Sequence, residues 1–146
     1  MAVWMTSAEM AAYLNARFTG GPAISNAELY MGFTTATPGP AGSFTNEPTS
    51  AGSYARLAIG ATGTTKFGTT SNGVITNSEG ALTFATSSAA WSTGATPLTH
   101  WFIATSGTIG GGKMLYYGAL TNPITVNAAN LAPSFAPGQL SLTLQA

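Results

Sequence analysis

Along most of the chain apolar side chains fall two apart, and in one segment they fall four apart. Leu29, Met31 and Phe33 alternate with Glu28, Tyr30 and Gly32, the period of a strand with one buried face. Leu140, Leu142 and Leu144 alternate with Ser141 and Thr143 in the same way, the cleanest amphipathic strand of the sequence. Shorter strand-like runs cover Tyr54 to Ala61, Val74 to Thr76, Leu82 to Phe84 and Ile124 to Val126. Turn signals separate them, among them Asn72-Gly73, Asn122-Pro123 and Pro137-Gly138. The densest pattern is a predicted hairpin, Thr99 to Thr105 and Lys113 to Leu120 around a glycine-rich connection. Both of its strands are apolar at both parities: Trp101, Ile103, Leu115 and Tyr117 on one, Phe102, Ala104, Met114, Tyr116 and Leu120 on the other. Such strands are covered on two sides. A second sheet of the same chain can fill one side, and a neighbouring subunit or partner surface is expected on the other.

The four-residue period belongs to Met10, Leu14 and Phe18 and predicts a helix over Thr6 to Phe18. Thr6 and Glu9 have capping-box spacing, and Met5 is placed to staple onto Met10. Gly20-Gly21-Pro22 stops the helix. Two readings stay open: the helix plugs the end of its own sandwich, or its first turn and the arm before it dock on another subunit. The stretch Thr35 to Ser53, with Pro38, Pro40, Pro48 and Phe44, predicts a long loop, either a contact arm or a solvated connection. Short strands between glycine and proline turns make the expected fold all-β, a β-sandwich of jelly-roll or immunoglobulin-like topology with one N-terminal α-helix. At 146 residues the chain is expected to form one domain, 1–146, its N-terminal arm and helix occupying 1–22.

Charge changes the picture most. Only 5% of residues are charged, against roughly 25% in ordinary soluble domains, and the net charge is zero. A surface of Thr, Ser, Asn, Gly and Ala does little to resist association. Disorder does not fit a neutral chain that is 45% hydrophobic. Four basic residues are too few for nucleic-acid binding, and no apolar run approaches the roughly 18 residues of a membrane span. Met1 to Met5 lacks the features of a secretory signal, so export by that route is not expected.

Candidate chemistry is sparse. There is no cysteine, so no disulfide, thiolate nucleophile or cysteine-based metal site. His100 is the only candidate base, and at the start of an apolar strand a structural histidine is expected. Glu9, Glu28, Glu47 and Glu79 are scattered, with nothing that pairs two for acid–base work. Arg56 is expected to cap a sheet edge. Gly110-Gly111-Gly112-Lys113 has phosphate-loop composition but precedes a strand where that motif requires a helix. No enzyme activity and no cofactor are expected.

The elements Glu28-Leu29-Tyr30-Met31-Gly32-Phe33-Thr34-Thr35-Ala36-Thr37-Pro38, Gly52-Ser53-Tyr54-Ala55-Arg56-Leu57-Ala58, Leu82-Thr83-Phe84-Ala85-Thr86, Thr99-His100 and Leu115-Tyr116-Tyr117-Gly118-Ala119-Leu120 together resemble a family of small tailed-bacteriophage structural proteins. Members of it are labelled tail fibre, minor tail or head decoration proteins. The resemblance implies a virion component, assembled in the host cytoplasm. With the small size and the lack of a fibre-like repeat, it leads to an expected capsid decoration (cement) protein. Such a protein would form homo-oligomers, trimers by expectation, and bind the major capsid protein. The alternative is a tail fibre, tail-tip or baseplate protein that binds a receptor or other tail components. No nucleic-acid or membrane partner is expected. The candidate contact residues are Trp4, Met5 and Met10 in the arm and helix, and Pro38, Pro40 and Phe44 in the loop.

Overall fold

The computed structural model describes residues 3–19, 28–60, 66–68, 74–92 and 94–143. In chain order the elements are β1 (Val3–Met5), α1 (Ser7–Phe18), β2 (Leu29–Thr34), β3 (Leu57–Gly60), β4 (Val74–Thr76), β5 (Leu82–Thr83), β6 (Leu98–Ala104), β7 (Met114–Ile124), β8 (Ser134–Phe135) and β9 (Ser141–Thr143). The fold is all-β with one N-terminal helix. The expected helix stop at Gly20-Gly21-Pro22, the turn at Asn72-Gly73 and Leu144 lie outside the described residues.

The predicted hairpin is the centre of the sheet. β6 and β7 pair antiparallel through Ile103 with Tyr116, Phe102 with Tyr117 and Trp101 with Gly118. β2 adds to β6, β3 to β2 and β1 to β7, giving the order β1-β7-β6-β2-β3. Alternation then sorts the side chains. Met31, Phe33, Trp101, Ile103 and Leu120 enter the large core, where Leu82, Phe84, Phe135, Leu140 and Leu142 meet them from two antiparallel ribbons, β4-β9 and β5-β8. Among the described residues the second layer is therefore split into two ribbons, in place of the continuous second sheet of a jelly roll or immunoglobulin domain. Each ribbon joins the middle of the chain to its end, and Asn77 stitches one of them by accepting Leu140 N–H and donating to Ala136 O.

On the other face of the sheet Phe102, Ala104, Met114 and Tyr117 form a smaller core, Met114 joining it across the register shift between Ile103 and Ala104; the expected grouping of Tyr117 with Trp101 and of Leu120 with Phe102 is corrected by the pairing of Phe102 with Tyr117. The chain itself contributes the cover there, because Phe44 of the long loop packs edge-on to Phe102, ring centroids 5.3 Å apart. The expectation that a neighbouring subunit supplies this side is corrected at that point of the sheet. Gly32 makes the packing possible: a Cβ on it would lie 2.3 Å from the Phe102 ring and 2.7 Å from the Tyr54 hydroxyl. The loop is also more structured than its composition predicts. Pro38 and Pro48 are buried, and Ala51–Ser53 forms a 3-10 turn.

The expected turn at Asn122-Pro123 is absent, since β7 runs on to Ile124, which pairs Leu98. Two steps along β6, from His100 to Leu98, match five along β7, from Ala119 to Ile124. The surplus residues bulge, and Pro123 lies in that bulge, where no ladder hydrogen bond is asked of it.

Candidate assembly surface

Helix α1 begins where the sequence places it and points the other way from a core helix. Its N-cap is Thr6, whose hydroxyl accepts Glu9 N–H at 3.3 Å and donates to Met114 O at 2.8 Å. Only half of the capping box forms, because Thr6 N–H is already donated to Leu115 O. The Glu9 carboxylate, buried in the helix base, instead meets Lys113 Nζ at 2.9 Å, and the same ammonium reaches Ala8 O at 3.3 Å. Ser7 N–H donates to Pro40 O at 3.0 Å. The last turn closes on itself, with Thr19 N–H and hydroxyl both donating to Asn15 O.

The side of α1 turned to the body carries Glu9, Ala12 and Ala16. Leu14 and Phe18 project from the opposite side, beside Met10 and Ala11. Phe18 is 77% exposed, Trp4 59%, Met10 50%, Tyr13 47% and Leu14 46%. The plug reading of the helix is thereby corrected, and Met10 is not covered by a staple onto Met5. Small residues and one ion-paired carboxylate seat the helix, while its large apolar side chains face out. A run of exposed large apolar side chains packed into so short a stretch of chain is the mark of a surface made for contact.

The helix base stands on two loops, 35–53 and 105–113, that a single ion pair holds together. Arg56 and Glu47 form a two-pronged bridge, both prongs 2.7 Å, with side chains 0% and 1% exposed. The remaining guanidinium nitrogen donates to Ser106 O at 2.6 Å and Gly111 O at 2.9 Å. Gly110 N–H and the Tyr54 hydroxyl donate to the Glu47 carboxylate. Phe44 and Phe102 flank the guanidinium, at 4.4 and 4.9 Å from their ring centroids, a cation–π contact on each. The glycine density of 107–112 has its reason here. Gly110 and Gly112 take positive φ, and a Cβ on Gly112 would lie 2.6 Å from Ser106 Cβ. The edge-capping role expected of Arg56 is corrected: it is a buried clamp. Burial, and then the Glu47 charge, pushes the Tyr54 phenol far above its ordinary pKa of 10.0. Its oxygen in turn accepts Phe33 N–H at 3.0 Å.

Of the expected contact residues, Trp4 and Met10 are exposed, Pro40 lies at the helix base, and Met5 pairs Tyr116 on β1. Pro38 is buried and Phe44 serves the clamp. The structure thus brings arm, helix and loop together, and adds Tyr13, Leu14 and Phe18. The other titratable groups are dispersed. Glu28 accepts from Tyr30, and Glu79 accepts from Ser78. His100 Nδ1 lies 2.9 Å from Thr99 Oγ1, and partial burial holds its imidazole below the usual 6.5. Beside it on β2, Thr34 Oγ1 is buried without a hydrogen-bond partner. Among the described residues no three of His, Asp or Glu are grouped so as to hold a metal ion, and no helix is long and apolar enough to cross a membrane.

A family model described as podophage GP4 fiber I protein gp80 matches residues 5–143 of the 146. No curated protein matches the chain.

Proposed function

This chain belongs to the podophage GP4 fiber I protein family, and on that premise we propose that it is a structural component of the fibre apparatus of a tailed phage, working by assembly and contact and not by catalysis. The observation that carries the reading is the family match across nearly the whole chain. Capsid decoration, the first expectation from sequence, draws no support from a match to a fibre family, and the tail-fibre alternative does. The geometry supports a contact role. The most elaborate polar arrangement of the molecule, the Arg56–Glu47 clamp, is sealed from solvent and touches nothing a substrate reaches. What it does is hold two loops still under a helix whose apolar side chains are displayed. Electron microscopy of virions labelled with an antibody against this chain tests the reading. Label at the tail fibres is expected, and label spread evenly over the head overturns it.

A further inference from the structure

We infer that the outer face of the five-stranded sheet, from Trp4 on β1 across Ala119 on β7 to His100 on β6, is a binding site for a neutral saccharide chain. The inference rests on the fibre reading above and names a class of ligand for it.

Register places the three residues together. Trp4 stands opposite Tyr117 and Tyr117 opposite Phe102, and two residues along β7 Ala119 stands opposite His100. Opposed side chains share a face, and so do residues two apart in a strand. Trp4, Tyr117, Ala119 and His100 therefore all project from the side of the sheet that carries the smaller core. Phe44 and Arg56 lie over Phe102 there, and Tyr117 is buried as well. Trp4 is not covered, at 59% exposed, and Ala119 beside it is exposed too. The small Ala119 side chain leaves a flat floor between a bare indole and an imidazole. Strand spacing and rise put the Trp4 and His100 Cα atoms on the order of 12 Å apart, a span wider than one sugar ring.

Chemistry selects the ligand. A sugar ring has C–H groups on its face and hydroxyls on its rim, and an exposed indole stacks on the former. The hydroxyls suit His100, whose Nδ1 is engaged with Thr99 Oγ1 at 2.9 Å and whose Nε2 has no hydrogen bond among the described residues. Whichever tautomer that contact sets, Nε2 is left as a donor or as an acceptor, and a hydroxyl answers both. Charge narrows the class further. β1, β2, β3, β6 and β7 hold no Asp, Glu, Lys or Arg, and partial burial keeps the imidazole uncharged at neutral pH. A charged ligand would give up water for a face with nothing to pair it, and a neutral polyol makes no such demand. A protein partner fits less well, because an aromatic anchor between proteins is ringed by contacts that exclude water. The open neighbours of Trp4 on this face are an alanine and an imidazole.

A printed array of bacterial oligosaccharides, neutral and anionic, probed with the full chain tests this, followed by titration of the neutral glycan retained most strongly. Trp91 and Trp101 are buried, so a change of indole emission on titration reports Trp4. The wild type is expected to retain neutral glycans and to show a saturable emission change. By calorimetry, Trp4→Ala is expected to weaken binding about tenfold. Ala119→Glu, which fills and charges the floor without touching the indole, is expected to weaken it as much. His100→Ala is expected to cost several-fold, and His100→Gln to recover part of that, since a carboxamide also donates and accepts. An array on which the wild type retains nothing, or anionic glycans alone, overturns the inference. So does a neutral glycan held equally well by Trp4→Ala and Ala119→Glu. An empty array beside virions labelled at the fibres removes this site and leaves the fibre reading standing, whereas neutral-glycan binding with label spread over the head keeps the site and removes that reading.

Discussion

Taking a guanidinium and a carboxylate out of water costs several kcal/mol per ion, recovered only when every remaining polar atom is satisfied. At Arg56 and Glu47 that condition holds: the guanidinium meets the carboxylate twice and two carbonyls besides, and the carboxylate also accepts Gly110 N–H and the Tyr54 hydroxyl. Arg56→Ala is accordingly expected to cost about 3–5 kcal/mol in urea unfolding, since it strands a buried carboxylate. The Arg56→Met/Glu47→Leu double variant is expected to recover part of that loss, though Ser106 O and Gly111 O lose their donor. Thr34→Val is expected to be neutral or to raise the urea midpoint, because it removes a buried hydroxyl that has no partner. Tyr54 sets an alkaline limit. Its folded pKa lies above the unfolded value near 10, so its contribution is fully present below that pH and is lost as pH rises. Unfolding midpoints measured between about pH 9 and pH 12 should hold until near pH 10 and then fall more steeply in the wild type than in Tyr54→Phe. That variant also starts lower at neutral pH, since Phe33 N–H loses its acceptor.

At the scale of elements, the helix is only as firm as its first turn. Thr6→Ala removes both the cap on Glu9 N–H and the bond to Met114 O, and is expected to cost about 1–2 kcal/mol. Hydrogen exchange should quicken throughout α1 while β6 and β7 keep their protection. The strands were legible because alternation reports burial directly: Met31 with Phe33, and Leu140 with Leu142, are buried where the period places them. The helix was legible in position and not in direction. A four-residue period says which side chains share a face, but only contacts distant in sequence decide whether that face meets the body. Glu9 held the missing signal, since its backward reach to Thr6 N–H was forestalled by a sheet carbonyl that no local pattern reveals. The clamp was illegible for the same reason: Arg56 reads as a charge at a strand edge and Glu47 as one in a loop until the hairpin connection closes around them. Pro123 misled because a proline after asparagine marks a turn in most contexts, and here a bulge in β7 absorbs it.

The whole molecule has little ionic character. Its two ion pairs among the described residues are both spent internally, on the loop clamp and the helix base. Association through an apolar face of a neutral chain should therefore weaken little between about 0.05 and 1 M sodium chloride, whereas an interface steered by exposed charge would loosen steeply. Sedimentation across that salt range checks this. The clamp has one more consequence. Its contacts reach from Glu47 and Arg56 to Ser106, Gly110 and Gly111, spans of 50, 55 and 63 positions, in a polypeptide without a single sulfhydryl. Proteins that must survive in the open environment commonly close such spans with a covalent sulfur bridge, which waits on an oxidant to be made and can be undone by a reductant. A staple of opposite charges waits on neither, so the oxidising or reducing character of the surroundings neither makes nor breaks it.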